Sequence, residues 1–588
     1  MPVNQFEGET VVMENAGLYL LNARHWRRAG VLTAALGVLL LPAACMTPDK
    51  AVREADETGL RLASAYWQQQ TGIARTFDVN RPSDALTLRI ALLAASRGEQ
   101  GVVFPSIPNA RLTASTNGVL VLSLTNALCI AAHDDRKYQT LKETIFSGAL
   151  DLDYQQYRFE NSFSGMLLGL LSGDPATKKA TGTGEAGVDR TLENGAKIAG
   201  RLALNVVSLL RDDWRSLGLT GDLTMTVPLL RGSGRDIVRE PLTQAERNLV
   251  YDIETFEAYR QSYAIAVASS YFDVLGYAEK LKNALDNERR LSENSRRAEM
   301  MFTAGRMQKI EVDQARSDLL DAGGSVVSSR RNFETSLDAF KVKIGLPPEA
   351  RIELDSAELD RLETQMNRQA QASKSAVEAF PDEAEACRIA LEARHDLVVT
   401  RGRLEDAARA VRVAADQLRG DVTLKGDLNL DRLVQTGGDG FGGDETWNTS
   451  VQADLPWDRR KERNAFKKAL LSLEQAKRAL EEEEDSIKQS VRSGLRNLVA
   501  SRASYEIQIE AVKVARLRVE SNTLFLQSGR SSMRDVLEAE SALLNARNAL
   551  CSALIDWRMS ELQLRCDMGV LKMTDAGVWS EGDGTSHG

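Results

Sequence analysis

Proline is scarce in this chain, 13 in 588 residues. Proline breaks helix interiors, so stretches without it leave room for long helices. Aromatic residues reach only 6% while charged residues reach 27%, and Ala, Leu, Glu and Arg recur in long runs. That profile belongs to extended helices rather than to a thick globular core. No apolar run beyond residue 45 approaches the roughly 18 residues a membrane-crossing helix needs. The net charge of −9 is mild, and it provides no basic stripe for nucleic acid. Histidines are few and scattered (His25, His133, His395, His587). The five cysteines are scattered too, and no pair has zinc-ligand spacing. No metal or cofactor is expected. Cys551 and Cys566 lie on one predicted helix roughly 22 Å apart, too far to bridge. Cys129 and Cys387 fall on apolar helical faces, where a thiol behaves as a small hydrophobe. Catalysis also lacks support: no Ser/His/Asp set is spaced for it, and His133-Asp134-Asp135 reads as a helix surface. GSGR (Gly232–Arg235) has no Walker lysine and serine. The chain is not expected to be an enzyme.

The N-terminus carries targeting information. Arg24, Arg27 and Arg28 precede AGVLTAALGVLLL (Ala29–Leu41), an apolar run too short to span a bilayer as a helix. LPAAC follows, with small Ala43 and Ala44 before Cys45. This resembles a bacterial lipoprotein cleavage box, with Pro42 departing from the usual small or aliphatic residue. The resemblance implies a signal peptide over residues 1–44, with Met13 an alternative start. Cys45 would then be the acylated N-terminus of a lipid-anchored extension over 45–117.

Further along, apolar residues at helical spacing (Leu122–Leu152) give way to alternation with period 2. Tyr157, Phe159, Phe163, Gly165 and Leu167 interleave with polar residues, as do Leu219, Gly221, Leu223, Met225 and Val227 before Pro228. A Gly/Thr/Lys-rich loop (Gly173–Gly187) and an ambiguous stretch (Thr191–Asp213) lie between them. The alternation returns over Val422–Leu430 and Trp447–Leu455, around a Gly-rich loop, Thr436–Glu445. Four strands of about ten residues, apolar on one side, suit tilted transmembrane strands; a soluble half-buried sheet would show the same pattern. After each strand pair comes a heptad-like run: Leu242, Leu249, Phe256 and Tyr263, then Leu473, Leu480 and Ile487. Each predicts about 90–100 Å of helix. Both runs end in the same motif. TAGRMQKIEVDQARSDLLDA (Thr303–Ala322) and QSGRSSMRDVLEAESALLNA (Gln527–Ala546) align at an offset of 224 residues, setting Gly305 on Gly529 and Arg306 on Arg530. The chain reads as a tandem duplication: helix, strand pair, long helix, Gly turn, returning helix, twice. The glycines mark the far tips of two helical hairpins.

LTNAL, VPLLRGSGR, LDAFKVKIGLPP, FPDEAEACRIALEARHDLVVTRGRLEDAARAVRVAADQ, LPWDRRKERN and SGRSSMRDVLEAESALLNARNAL, taken in order, resemble the outer-membrane efflux protein family, the TolC-like channels, over about residues 118–570. The resemblance implies a mainly α protein with a small β part. Its long helical hairpins would form an α-barrel, and its four strands would join those of two further copies in a trimeric 12-stranded transmembrane β-barrel. It divides the chain into a first repeat over 118–350, a connector over 351–379, a second repeat over 380–570 and a flexible C-terminal tail over 571–588. The implied function is that of an outer-membrane exit duct in a tripartite efflux or type I secretion system, a passive path for small molecules or proteins. A non-channel coiled-coil lipoprotein of the envelope is the alternative. Implied partners are two further copies, a periplasmic adaptor, an inner-membrane pump and outer-membrane lipid. Gly305, Arg306, Gly529 and Arg530 would be the adaptor-contacting tips. Asp313, Asp318 and Asp535 are candidates for an acidic ring at the periplasmic mouth.

Overall fold

The computed structural model describes residues 46–72, 91, 94, 113–114, 120–173, 178–209, 215–372, 381–435, 442–455, 457–528, 530–574 and 577–579. The signal segment, Cys45 and Gly529 lie outside them, as does His587. The chain falls into two compact units. One comprises residues 1–62, 150–245 and 412–466, the other residues 63–149, 246–411 and 467–588.

The first unit is built on a six-stranded antiparallel sheet. Its strands are β3 (Ser162–Gly173), β4 (Lys178–Thr191), β5 (Lys197–Leu209), β6 (Arg215–Pro228), β8 (Asp421–Gln435) and β9 (Gly442–Asp454), hydrogen-bonded in that order. The expectation of four strands is therefore corrected to six. Most of the supposed loop Gly173–Gly187 is β4, and the ambiguous stretch after Thr191 contains β5. Tyr157 ends a helix and Phe159 sits in a turn, so strand begins only at Ser162. The supposed loop Thr436–Glu445 gives up its last four residues to β9. β4 escaped the period-2 reading because, before Val188, its apolar-side positions include Gly182, Gly184 and Ala186. Residues that small leave the alternation almost without contrast, and β4 is a strand because partners flank it on both sides.

The second unit is helical. Its first helix, α1 (Pro48–Thr71), begins in the other unit and brings in Trp67, which is 2% exposed and meets Phe256 edge-on at 5.6 Å. A small sheet joins β1 (Thr113–Ala114), β2 (Leu120–Leu122) and β7 (Ile352–Leu354), the last two parallel. α2 (Leu124–Asp134) and α3 (Arg136–Tyr157) follow β2. Then come the two long hairpins, α4 (Glu240–Thr303) with α5 (Lys309–Lys343), and α9 (Arg460–Gln527) with α10 (Met533–Asp567). α4 has 64 residues and α9 has 68, hence about 96 and 102 Å of helix. The heptad spacing turns inward in two stretches of α4, where Leu249 and Phe256, then Val267 and Val274, are buried seven residues apart. On α9 Leu473 and Leu480 are half-buried, and Ile487 and Val491, one turn apart, are buried. α6 (Ala357–Ala372) lies in the connector, while α7 (Glu383–Ala393) and α8 (His395–Asp416) open the second repeat.

Two segments are better packed than their sequences suggest. The connector places Leu362 and Met366 in the main core. The tail is held in place as far as Trp579 rather than flexible from Leu571. Leu571 and Trp579 are buried, and the Leu571 and Thr574 carbonyls accept from Gln261 and Arg260 of α4 at 3.0 and 2.6 Å. Among the described residues, no helix is long and apolar enough to cross a membrane.

Candidate functional site: sheet wall and hairpin tips

The register of the sheet sorts its side chains onto two faces, because successive residues of a strand point to opposite sides. On one face Phe163 lies opposite Val188, Ala186 opposite Leu202, and Leu204 opposite Leu219. Leu223 then meets Leu428, and Leu428 meets Trp447. This face is apolar and open: Phe163 and Trp447 are both 78% exposed. On the other face Arg201 is paired with Asp222, Asp222 with Asn429, and Asn429 with Thr446. Glu185, Asp427, Asp431 and Asp444 share that face, and Glu185 lies 4.0 Å from Arg201. β3 is the exception. Its Met166, Leu168 and Leu170 are paired with Glu185, Thr183 and Thr181 on the polar side, so β3 is apolar on both faces.

An exposed apolar sheet face of this extent, in a wall 12 to 15 residues tall, is longer than the 9–11 residues that cross a hydrocarbon core. At the foot of the sheet the GSGR turn is structural. The buried carboxylate of Asp416 accepts from the Gly232 amide at 2.8 Å, which leaves that amide unavailable to a phosphate.

The hairpin tips repeat one another in detail. At the first, Gly305 adopts φ 72° and the Arg306 amide donates back to the Met301 carbonyl at 2.9 Å. At the second, the Arg530 amide donates to the Phe525 carbonyl at 2.8 Å, the same contact 224 residues on. The returning helices start alike as well. Gln308 and Glu311 form a capping box on α5, and Ser532 and Asp535 form one on α10. A shared apolar cluster holds the tips together, with Ala298 and Ala315 beside Leu526, Met533 and Val536. Arg306 and Arg530 are exposed, and among the described residues no ion pair engages either.

The acidic candidates divide. Asp535 accepts from the Ser532 hydroxyl at 2.7 Å, the Ser532 amide at 2.9 Å and the Ser531 hydroxyl at 3.0 Å. These bonds hold its carboxyl below the usual range and commit it to capping. Asp313 is exposed, while Asp318 is half-buried and accepts from Gln314 at 2.9 Å. Five residues of helix turn them about 140° apart, so they do not share one face.

The buried polar pairs of the helices were not singled out from sequence. Glu540 is 4% exposed and accepts from Arg290 of α4 at 2.7 Å. Arg558 and Glu561 are buried together at 3.0 Å, and Glu254 bonds His395 at 2.6 Å. Only the last involves a residue type scarce enough to have drawn attention. Among the described residues no group of His, Cys, Asp and Glu is arranged to hold a metal ion.

Residues 386–570 match the family model for "Outer membrane efflux protein". The chain is also 22% identical to outer membrane protein TolC of Escherichia coli K12 over 444 residues, spanning 72% of this chain and 82% of TolC. Over these residues the chain is similar to the outer membrane efflux proteins. Solved structures agree on the fold. VceC of Vibrio cholerae superposes with a TM-score of 0.54 at 15% identity, covering 76% of this chain and 96% of VceC. The CmeC outer membrane channel of Campylobacter jejuni gives 0.53 at 16%, covering 78% of this chain and 87% of CmeC. By name, TolC is an outer membrane protein and CmeC an outer membrane channel.

Proposed function

We propose that this protein is the exit duct of a tripartite efflux or type I secretion system, open passively to small molecules or proteins and supplied by an inner-membrane pump through a periplasmic adaptor. One observation carries the reading: a sheet with a lipid-compatible face, a polar face and two unpaired edges, in a chain with long helical hairpins. A lipid environment demands that sheet edges be closed, and six strands are too few to close by themselves. A homotrimer meets that demand. Apolar residues left outward on the helices support it, since Leu320 and Val327 of α5 are both 70% exposed, seven residues apart. Ile507 and Val514 of α9 repeat the spacing at 65% and 64%, a seam suited to a neighbouring copy. The polar face then lines the pore, and the connections after β3, β5 and β8 lie outside the cell. Cys45 adds a lipid anchor to the barrel.

At the hairpin tips, Gly305, Arg306, Gly529 and Arg530 form the adaptor contact, with the arginines exposed to meet carboxylates. Asp313 or Asp318 lines the mouth, whereas Asp535 serves its helix cap. Purified trimers in a planar bilayer should give stepwise currents; silent, correctly folded trimers would end the channel reading. The combination Arg306→Glu with Arg530→Glu should cut adaptor cross-linking and export while leaving conductance intact. Normal export in that strain retires the tip contact.

A further inference from the structure

The hairpin made by β4 and β5 has the properties of wall rather than of ornament. It is paired along its whole length on both sides, β4 to β3 and β5 to β6. It continues the two faces without a break, with Leu202 and Leu204 on the apolar side and Arg201 and Asn205 on the polar side. Its turn is tied to the foot of the sheet. The Asn194 carbonyl accepts from the Gly234 amide at 3.4 Å, and Glu193 pairs with Arg235 at 3.1 Å and Arg239 at 3.6 Å. Ala196 beside it is 1% exposed. The hairpin adds two strands, an even number. Going across the sheet the direction alternates, so β3 and β9, its two edges, run oppositely. An odd number of strands in the sheet would have made them parallel.

We infer that three copies close an eighteen-stranded barrel, with β9 of one copy hydrogen-bonded antiparallel to β3 of the next. This rests on the trimeric duct reading above and sets the width of the pore. Barrel diameter grows roughly linearly with strand number, so the lumen is about 1.5-fold wider than twelve strands would make it, and about 2.3-fold larger in cross-section. The barrel mouth thus takes bulkier solutes than a wall of four strands per copy would.

Three measurements on the full chain test this. The native mass of the detergent-solubilised protein should be that of three copies. In planar bilayers, graded polyethylene glycols added on the loop side should enter the pore up to a radius about 1.5-fold larger than in a variant whose residues 174–214 are replaced by a short turn. Should that variant not fold, single cysteines in the full chain decide. In liposomes Asn205→Cys should react with a membrane-impermeant maleimide, and Leu204→Cys should not, above the background of the unsubstituted chain, whose Cys129 and Cys551 are buried. Trimers in which both cysteines react, or in which the hairpin leaves the polymer cut-off unchanged, overturn the eighteen-stranded wall and leave the duct standing. A two-copy mass overturns the trimer and the strand count together.

Discussion

Gly305 and Gly345 end their helices in the same way, and substituting both separates two costs usually confounded. Each has a positive φ, 72° and 83°. In each the following amide reaches back to close the helix: Arg306 to the Met301 carbonyl at 2.9 Å, Leu346 to the Lys341 carbonyl at 2.8 Å. An alanine forced into left-handed backbone costs about 1 kcal/mol at either site. The surroundings differ. A Cβ at 305 meets nothing within 4 Å, while one at 345 lies 2.6 Å from the Asp134 carbonyl oxygen and 2.8 Å from its carbon. Those are backbone atoms at the end of α2, whose Leu128, Ile130 and Ala131 are buried, so relief requires the helix to move. Overpacking of that kind costs a further ~1–3 kcal/mol. Gly305→Ala should therefore lose about 1 kcal/mol and Gly345→Ala about 2–4. Asparagine tolerates left-handed backbone, so Gly305→Asn should recover most of its loss while Gly345→Asn, still carrying a Cβ, should not. Guanidinium unfolding of the purified protein, followed by far-UV circular dichroism, reads both. Equal losses at the two sites, or rescue of position 345 by asparagine, would refute the reasoning.

Asp252 is half-buried, and burial pushes its carboxyl up to about 6 from 3.8. The folded state therefore holds a proton that the unfolded state releases, and stability falls as pH rises from about 4 to 6. Asp252→Asn should be more stable than the parent by about 1–2 kcal/mol above pH ~6, after discounting for partial exposure. The difference should vanish below about pH 4, and melting temperatures across that range would show a flat difference if the assignment is wrong. Glu540→Ala strands Arg290, whose Nη2 is already buried without a hydrogen-bond partner among the described residues; the loss should be about 3 kcal/mol against about 1 for Glu540→Gln, and equal losses on denaturant titration would count against a paired charge. Trp579→Ala should cost about 3–5 kcal/mol and expose the tail to protease, whereas an unchanged digestion pattern would mean the tail is not held. Intact-mass measurement should find a diacylglycerol and amide-linked acyl on Cys45 and none after Cys45→Ser, with that variant still in the outer membrane through its barrel; an N-terminus elsewhere would dismiss the anchor.

What the chain discloses in one dimension is what is decided locally. Helix length follows from heptads unbroken by proline. The tip geometry follows from Gly305, and from capping residues Gln308, Glu311, Ser532 and Asp535 acting within one turn of themselves. The strong strands β6, β8 and β9 were readable because Leu and Trp alternate with Asp, Asn and Thr. Tertiary structure decided the rest. β4 spells KKATGTGEAGVDRT, a sequence with the composition of a loop, and it becomes strand only because β3 and β5 satisfy its backbone on either side. Leu571 and Thr574 are ordered by Gln261 and Arg260, more than 300 positions away. The number of strands in the sheet depends on such remote pairing, since a hydrogen bond between strands leaves no periodicity in the segment that makes it.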